Sequence, residues 1–445
     1  MKVLKFGGTS VGTPERMHHV ADLLTRDPES KIVVLSAVSG TTNSLIQIGH
    51  LLSHRNKSEA KMIIEDLKQK YISFIEALLT DPAYRDQARN DILIVFELLF
   101  TLTEKEYSPE LEKELLAQGE LISTNLFNHL LQQRTISSTL ISAMDFMSID
   151  ENDEPDIQSI KEKLNPILEK NKKHQILLTQ GYICLNHHGG MDNLKRGGSD
   201  YTASLIGAAV NAEEIQIWTD IDGLHNNDPR IIKNTFPIAT LSFEEAAELA
   251  YFGAKILHPS TIRPAQQEQV PVRLLNTMKP EAYGTLISNQ AKGEGLKAIA
   301  AKDNITAIKI RSSRMLLAHG FLRKVFEIFE KYKTSIDMIT TSEVAVSLTI
   351  DNDKHLDMIT HELKQFGTVI VDKDQSIVCV VGDMIVDSKG IVKKIFNALE
   401  DIPIRMISYG GSNYNISLLI DTNHKAKALN SLNDELFEEE LRLVN

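Results

Sequence analysis

The chain has 445 residues, of which 42% are hydrophobic and 24% charged, and a formal net charge of −12. That length provides for two or three domains with substantial cores, and the acidic balance without a Lys/Arg block excludes nucleic acid or an anionic membrane as the main partner. Only two cysteines occur, Cys184 and Cys379, each inside an apolar run, so buried free thiols of a reducing compartment are expected rather than a disulfide or a zinc site. A strand and a glycine turn begin at once, with no signal peptide pattern, and no apolar run is long enough to cross a bilayer. A cytoplasmic enzyme or regulator is the expected class.

Taken in chain order, KVLKF reads as a buried strand that breaks into the turn Gly7-Gly8-Thr9-Ser10. A helical pattern follows through Arg16–Leu24. KIVVLSAVSG is then a second apolar strand ending in a glycine turn. Residues 55–133 are almost entirely helical in pattern, with Pro82 and Pro109 as breaks. Strand and helix alternate again from 175 to 235: QILLTQGYI, a loop, the helix DYTASLIGAAVNA, and EIQIWTDIDG. A helix over FEEAAELAYFGAKIL, stopped by His258-Pro259, is expected next. Such alternation implies a mainly parallel sheet covered on both faces, with its chemistry in loops at the carboxyl ends of the strands.

The composition changes after Gly293-Glu294-Gly295. Residues Gly320–Asp351 and Gly390–Asp421 then superpose without a gap at a constant offset of about 70 residues. Each segment belongs to a βαββαβ unit, here occurring twice. The second copy lacks a closing strand after its last helix, and the unassigned strand at 297–302 is expected to complete its sheet. The domains expected are therefore residues 1–295, 296–374 and 375–445.

Four stretches of the first 300 residues look like parts of one phosphate site. In KFGGTS, Lys5 stands at a strand end beside Gly7 and Gly8, where glycine admits backbone N–H groups and the ammonium adds a point charge. LSAVSGTTN supplies Ser36 and Thr42. KRGGSDYTA leads Arg196, Ser199 and Asp200 into a helix start, where N–H groups and the helix dipole favour an anion. WTDIDGLHNNDPR places Thr219, Asp220, His225, Asp228 and Arg230 on a loop after a strand, and Lys255 follows in FGAKILHP. Each stretch has an ordinary alternative: a solvated strand end, an N-cap by Ser199 or Asp200, a turn, a dipole partner. Glu120, in LAQGELISTNLF, reads either as a first-turn acid at a helix entry or as a carboxylate for an amine. The chain has no GxxxxGK[ST] loop and no protein-kinase motif set, so ATP chemistry here belongs to another class.

Together KFGGTSVG, LSAVSGTTN, GELIST, TQGYI, RGGSDYTA, WTDIDGLHNNDPR and FEEAAELAYFGAKILHP resemble aspartate kinase, a member of the amino acid kinase family, along essentially the whole chain. The repeated tail resembles a pair of ACT domains. The resemblance implies phosphorylation of the side-chain carboxylate of L-aspartate by ATP, with Mg2+ carried mainly on the ATP phosphates. It implies catalytic roles for Lys5 and Asp200, and contacts to aspartate from Ser36, Thr42, Glu120, Arg196 and Ser199. The nucleotide side would comprise Lys5, Gly7, Gly8, Thr219, Asp220, His225, Asp228, Arg230 and Lys255. Two positions depart from the family pattern: Lys195 stands where a glycine is common, and His225 where a tyrosine is usual. Other readings are a glutamate or carbamate kinase of the same family, or a catalytically weak amino-acid sensor.

At the 70-residue offset Asp337 aligns with Ile407 and Glu343 with Asn413. Only the first copy therefore carries acids flanking MITTSE, and a pair of carboxylates facing a cationic amino acid is expected there. MLLAHGFL and SIDMITTSE resemble the lysine-responsive type. That resemblance implies feedback by L-lysine at Met315, His319, Gly320, Phe321, Leu322, Asp337, Thr341, Ser342 and Glu343, and a homodimer through the ACT modules.

Overall fold

The computed structural model describes residues 1–194, 197–253, 259–290, 295–312, 319–383 and 387–438. It divides into two compact units, 1–224 with 257–291, and 225–256 with 292–445. Residues 225–256, which the sequence reading assigns to the catalytic part, thus cluster with the C-terminal unit.

The chain opens with β1 (Lys2–Phe6), α1 (Pro14–Leu24), β2 (Lys31–Leu35) and α2 (Thr41–Ser53). The long helices α3 (Lys57–Leu78), α4 (Pro82–Leu102) and α5 (Pro109–Gln133) follow. Next come β3 (Ser138–Leu140), α6 (Ile157–Asn171), β4 (Ile176–Gln180), β5 (Ile183–Leu185), β6 (Met191–Asn193), α7 (Gly198–Ala209) and β7 (Ile215–Thr219). The middle of the chain holds β8 (Thr240–Leu241), α8 (Phe243–Tyr251), α9 (Pro259–Gln267), β9 (Val272–Asn276) and β10 (Thr285–Ile287). The tail is β11 (Gly295–Arg311), α10 (Phe321–Lys331), β12 (Ile339–Ser342), β13 (Ala345–Ile350), α11 (Leu356–Leu363) and β14 (Thr368–Asp383), then α12 (Ile391–Ala398), β15 (Ile404–Tyr409), β16 (Asn415–Asp421) and α13 (Lys425–Leu436).

In the first unit the strands stand in the order β3-β4-β2-β1-β7-β9-β10. All neighbours are parallel except β9 and β10. Parallel strands covered on both faces are largely apolar, and β2 and β4 are buried at every position. The breaks at Pro82 and Pro109 are helix starts: Asp81 and Ser108 cap α4 and α5, and each proline takes the first helical position, where no N–H is required. Leu45, Tyr71, Phe96, Leu115 and Phe127, from four of these helices, share one core with Leu4 and Phe6 of β1.

The second unit contains a sheet of order β12-β13-β11-β14-β16-β15. β11 and β14 each serve two modules. Residues 305–311 of β11 pair with β13 and with the first half of β14, whereas Ala298–Lys302 pair antiparallel with Ile377–Val381. The segment at 297–302 therefore lies beside the second half of β14, in the sheet with β16 and β15. The repeat is visible in the backbone: α10 and α12 start on Gly320 and Gly390, at φ 80° and 85°, each without a side-chain cap. A left-handed N-cap favours glycine.

Three local expectations need correction. The helix expected to reach Leu257 stops at Tyr251, because Gly253 has φ 129° and a side chain there would meet the Ala301 carbonyl. Glu120 lies in the interior of α5 and not at a helix entry. The N-cap of α7 is Gly197 (φ 74°), with no side-chain bond, so Ser199 and Asp200 sit in the first turn and do not cap it.

Candidate functional site

Lys5 is in β1, held between Val34 and Ile217 on the neighbouring strands. Its ammonium lies 2.7 Å from Asp200 Oδ1, and both side chains are largely buried. The turn after β1 is knitted to its neighbours: Gly7 N–H donates to the Trp218 carbonyl at 3.2 Å, and Ser39 N–H donates to the Gly8 carbonyl at 3.2 Å. A Cβ on Gly8 would stand 2.7 Å from the Ala37 carbonyl oxygen, so only glycine allows this approach. Ser199 packs against Gly181, just past β4, where any side chain would clash with it. The loops after β1, β2 and β4 thus converge with the uncapped start of α7, whose first N–H groups are left for an anion.

Glu120 enters this region from α5. Its Oε1 accepts the Ala37 N–H at 3.1 Å, and the residue is only 5% exposed. Burial pushes the carboxyl up to about 7, against the opposing pull of the Ala37 N–H and the Lys5 charge. Gly119 permits the approach, since its Cβ position is 2.8 Å from Ala37 Cβ. Ser36 lies in the loop clamped by Glu120, and Thr42 in the first turn of α2, which Gly40 caps at φ 85°. Neighbouring Thr41 shares a 2.6 Å hydrogen bond with the buried Tyr71 hydroxyl.

Thr219 ends β7 and Asp220 follows it; the Thr219 hydroxyl donates to Asp220 Oδ1 at 3.2 Å and the Thr277 N–H donates to the Thr219 carbonyl at 2.8 Å. His225, Asp228 and Arg230 belong to the second unit. There Arg230 Nε and Nη2 donate to the two Asp228 oxygens at 2.9 and 2.8 Å, holding that carboxyl below its usual range. His225 Nδ1 lies 2.9 Å from Thr235 Oγ1. Arg196, Lys255 and Met315, with the departure Lys195, lie outside the described residues.

The effector residues lie in and around two elements. His319 and Gly320 precede α10, Phe321 and Leu322 open it, and Thr341 and Ser342 close β12. The expected carboxylate pair is corrected. Asp337 lies before β12 and Glu343 in the turn after it, six residues apart along extended chain, or about 20 Å at the rise of a strand. The Asp337 side chain is buried at 1% exposure and the Glu343 residue is exposed, so the two do not face one ligand within one chain.

Sequence reasoning missed Ser123, Tyr182 and Lys302. Ser123 Oγ donates to the Ser36 carbonyl at 2.8 Å, one turn beyond Glu120, so α5 grips the loop after β2 at two points. Its place in GELIST was the available signal. Tyr182 holds φ 68°, packs on Gly198, and has its hydroxyl pushed up to about 12 by burial and by Glu120. Lys302 bonds Asp337 at 2.8 Å from 35 residues away, for which no sequence pattern gives a signal.

Residues 1–276 match the amino acid kinase family and residues 378–436 match an ACT domain. The lysine-sensitive aspartokinase 3 of Escherichia coli (strain K12) is 34% identical over 451 residues, covering 98% of this chain and 99% of that relative. Aspartokinase 1, chloroplastic, of Arabidopsis thaliana is 35% identical over 465 residues, covering 98% of this chain and 80% of the relative. Among solved structures, the E. coli aspartokinase III complex with aspartate and ADP, an R-state, is similar at TM-score 0.86 and 33% identity, covering 98% of this chain and all of that one. The same enzyme with lysine and aspartate, a T-state, is similar at TM-score 0.82 and 34% identity, covering 98% and 99%.

Proposed function

The chain belongs to the amino acid kinase family, as an aspartokinase, and on that footing we propose how its residues carry out the reaction. The enzyme transfers the γ-phosphoryl group of ATP to the side-chain carboxylate of L-aspartate, giving 4-phospho-L-aspartate and ADP, and L-lysine inhibits it. A carboxylate oxygen attacks phosphorus while the bond to ADP breaks. The attacking carboxylate is already ionised at neutral pH, so no general base is required. What the site must supply is alignment and neutralisation of the phosphoryl oxygens.

Lys5 stabilises those oxygens and Asp200 fixes the direction of its ammonium. Gly7, Gly8 and the N–H groups opening α7 lie against the phosphates. Glu120 takes the aspartate ammonium, while Ser36, Thr42, Ser199 and Arg196 bind the remainder of that substrate. Thr219, Asp220, His225, Asp228, Arg230 and Lys255 serve the nucleotide. A Mg2+ ion would be carried mainly by the ATP phosphates, with much of its water retained. The observation that carries this reading is the Lys5–Asp200 pair, 2.7 Å apart at a glycine turn beside an uncapped helix start.

The catalytic part is assigned to 1–295 and the ACT modules to 296–374 and 375–445, in a cytoplasmic homodimer. Exposed Phe326, Val344, Ile370, Ile407 and Tyr409 on the modules support burial against a second copy; light scattering of the eluted protein tests it. Among the described residues no helix is long and apolar enough to cross a membrane. The functional test is aspartate-dependent ADP release with Mg-ATP, with and without L-lysine, run beside glutamate and carbamate. Turnover with aspartate alone that lysine suppresses is expected. Preference for another acceptor, or binding of lysine without turnover, overturns the assignment.

A further inference from the structure

Asp337, two residues before β12, carries more partners than a loop acid would. Its Oδ1 receives Lys302 Nζ of β11 at 2.8 Å and the Tyr251 hydroxyl, from the last residue of α8, at 2.9 Å. Lys302 Nζ also lies 2.9 Å from Asp351 Oδ2 and 4.4 Å from the centre of the Tyr251 ring. The other oxygen of Asp337, Oδ2, is buried without a hydrogen-bond partner, in a side chain 1% exposed. Two carboxylates face one ammonium, so the cluster is one positive charge short at the atom left open. A buried carboxylate oxygen without a partner is unfavourable, and an added cation would relieve it. In the second copy the position of Asp337 is Ile407, so the acid at the centre of the cluster has no counterpart there.

Tyr251 gives this cluster a direction. A capping box between Ser242 and Glu245 secures the start of α8, and Glu248 accepts a hydrogen bond from Asn415 of the second module. Past Tyr251 the helix ends, and Gly253 turns the chain at φ 129°. Lys255, proposed above for the nucleotide, is four residues beyond Tyr251.

Resting on the reading of the first module as the lysine site, we propose that Tyr251 is the coupling residue: a ligand ammonium seated on Asp337 Oδ2 is read by α8 through the hydroxyl bound to Oδ1. A second cation draws charge from the carboxylate and weakens the bond that Tyr251 makes to it. The end of α8 is then freed relative to the module that holds it. A ligand without an ammonium able to reach Oδ2 leaves that bond intact. Coupling between effector and substrate sites is typically 5- to 150-fold in affinity, and one hydrogen bond to a charged group is strong enough to carry the lower part of that range.

The test is Tyr251→Phe in the full-length chain, which retains the ring over Lys302 and removes only the hydroxyl. L-lysine binding is measured by calorimetry, and aspartate-dependent ADP release is measured with and without L-lysine. Basal kcat and KM are expected within about twofold of the unaltered enzyme and lysine affinity within about threefold. The lysine-induced loss of aspartate affinity should shrink roughly tenfold. Inhibition identical to that of the unaltered enzyme overturns the proposal. So does loss of lysine binding itself, which would make Tyr251 part of the binding site. As a contrast, Asp337→Asn should lose binding and inhibition together. An unaltered enzyme that neither binds nor responds to L-lysine overturns the effector reading instead, and that arm is read without any variant.

Discussion

Glu120 offers the sharpest quantitative test, because one buried carboxyl is asked to hold an ammonium. Burial raises it from an ordinary 4.5 to about 7. For an acid raised in this way the folded state binds the extra proton. Its stability contribution is fully present below pH 4.5 and is lost as pH rises through about 7. With these two values, proton linkage puts the penalty at about 1 kcal/mol at pH 5 and about 3 kcal/mol at pH 8. Glu120→Gln retains the shape and an oxygen for the Ala37 N–H but cannot ionise. Relative to the unaltered enzyme it should therefore gain about 2 kcal/mol between pH 5 and pH 8. For a unit of this size that is roughly 4–8 °C in Tm, read by thermal unfolding without ligands. Binding should move the opposite way. Losing the charge that faces the substrate ammonium should raise the aspartate KM by roughly 100-fold, a cost of about 3 kcal/mol, with a smaller change in kcat. In the unaltered enzyme the aspartate KM should fall as pH rises through about 7, because the carboxylate form binds the ammonium. A Tm difference that does not widen between pH 5 and pH 8, together with a flat KM from pH 6 to pH 8, would refute the reasoning.

Lys5→Met should lower kcat by roughly 100- to 1,000-fold, as removal of a charge-stabilising donor does, with little change in aspartate KM; a loss below tenfold in steady-state rates would count against its role. Gly8→Ala places a methyl 2.7 Å from the Ala37 carbonyl oxygen, so the two loops must separate, at a cost of about 1–3 kcal/mol; thermal unfolding and the ATP KM should both worsen. Ser123→Ala deletes the donor to the Ser36 carbonyl at about 1 kcal/mol, and should raise aspartate KM about fivefold while kcat changes less; a fall confined to kcat would place Ser123 elsewhere in the mechanism.

What is local in this protein is legible in its sequence. Strands covered on both faces are largely apolar, so β1, β2, β4 and β7 announce themselves, while Gly8 behind β1 marks a close backbone approach and Gly40 behind β2 a left-handed turn. The repeat is equally plain, because both copies need a glycine in the left-handed region before the helix, at Gly320 and Gly390. Lys5, Asp200 and Glu120 stand in stretches that resemble the family's motifs. Tertiary structure alone decided what they touch: that Asp200 pairs with Lys5, that a mid-helix Glu120 reaches the Ala37 N–H, and that Ser123 grips the same loop. It likewise separated Asp337 from Glu343 along a strand and supplied Lys302 and Tyr251 as the partners of Asp337. Sequence periodicity states which face of an element is buried and where the element ends. It carries no information about which distant side chain will meet a given carboxylate, because that depends on which elements stack and in what register.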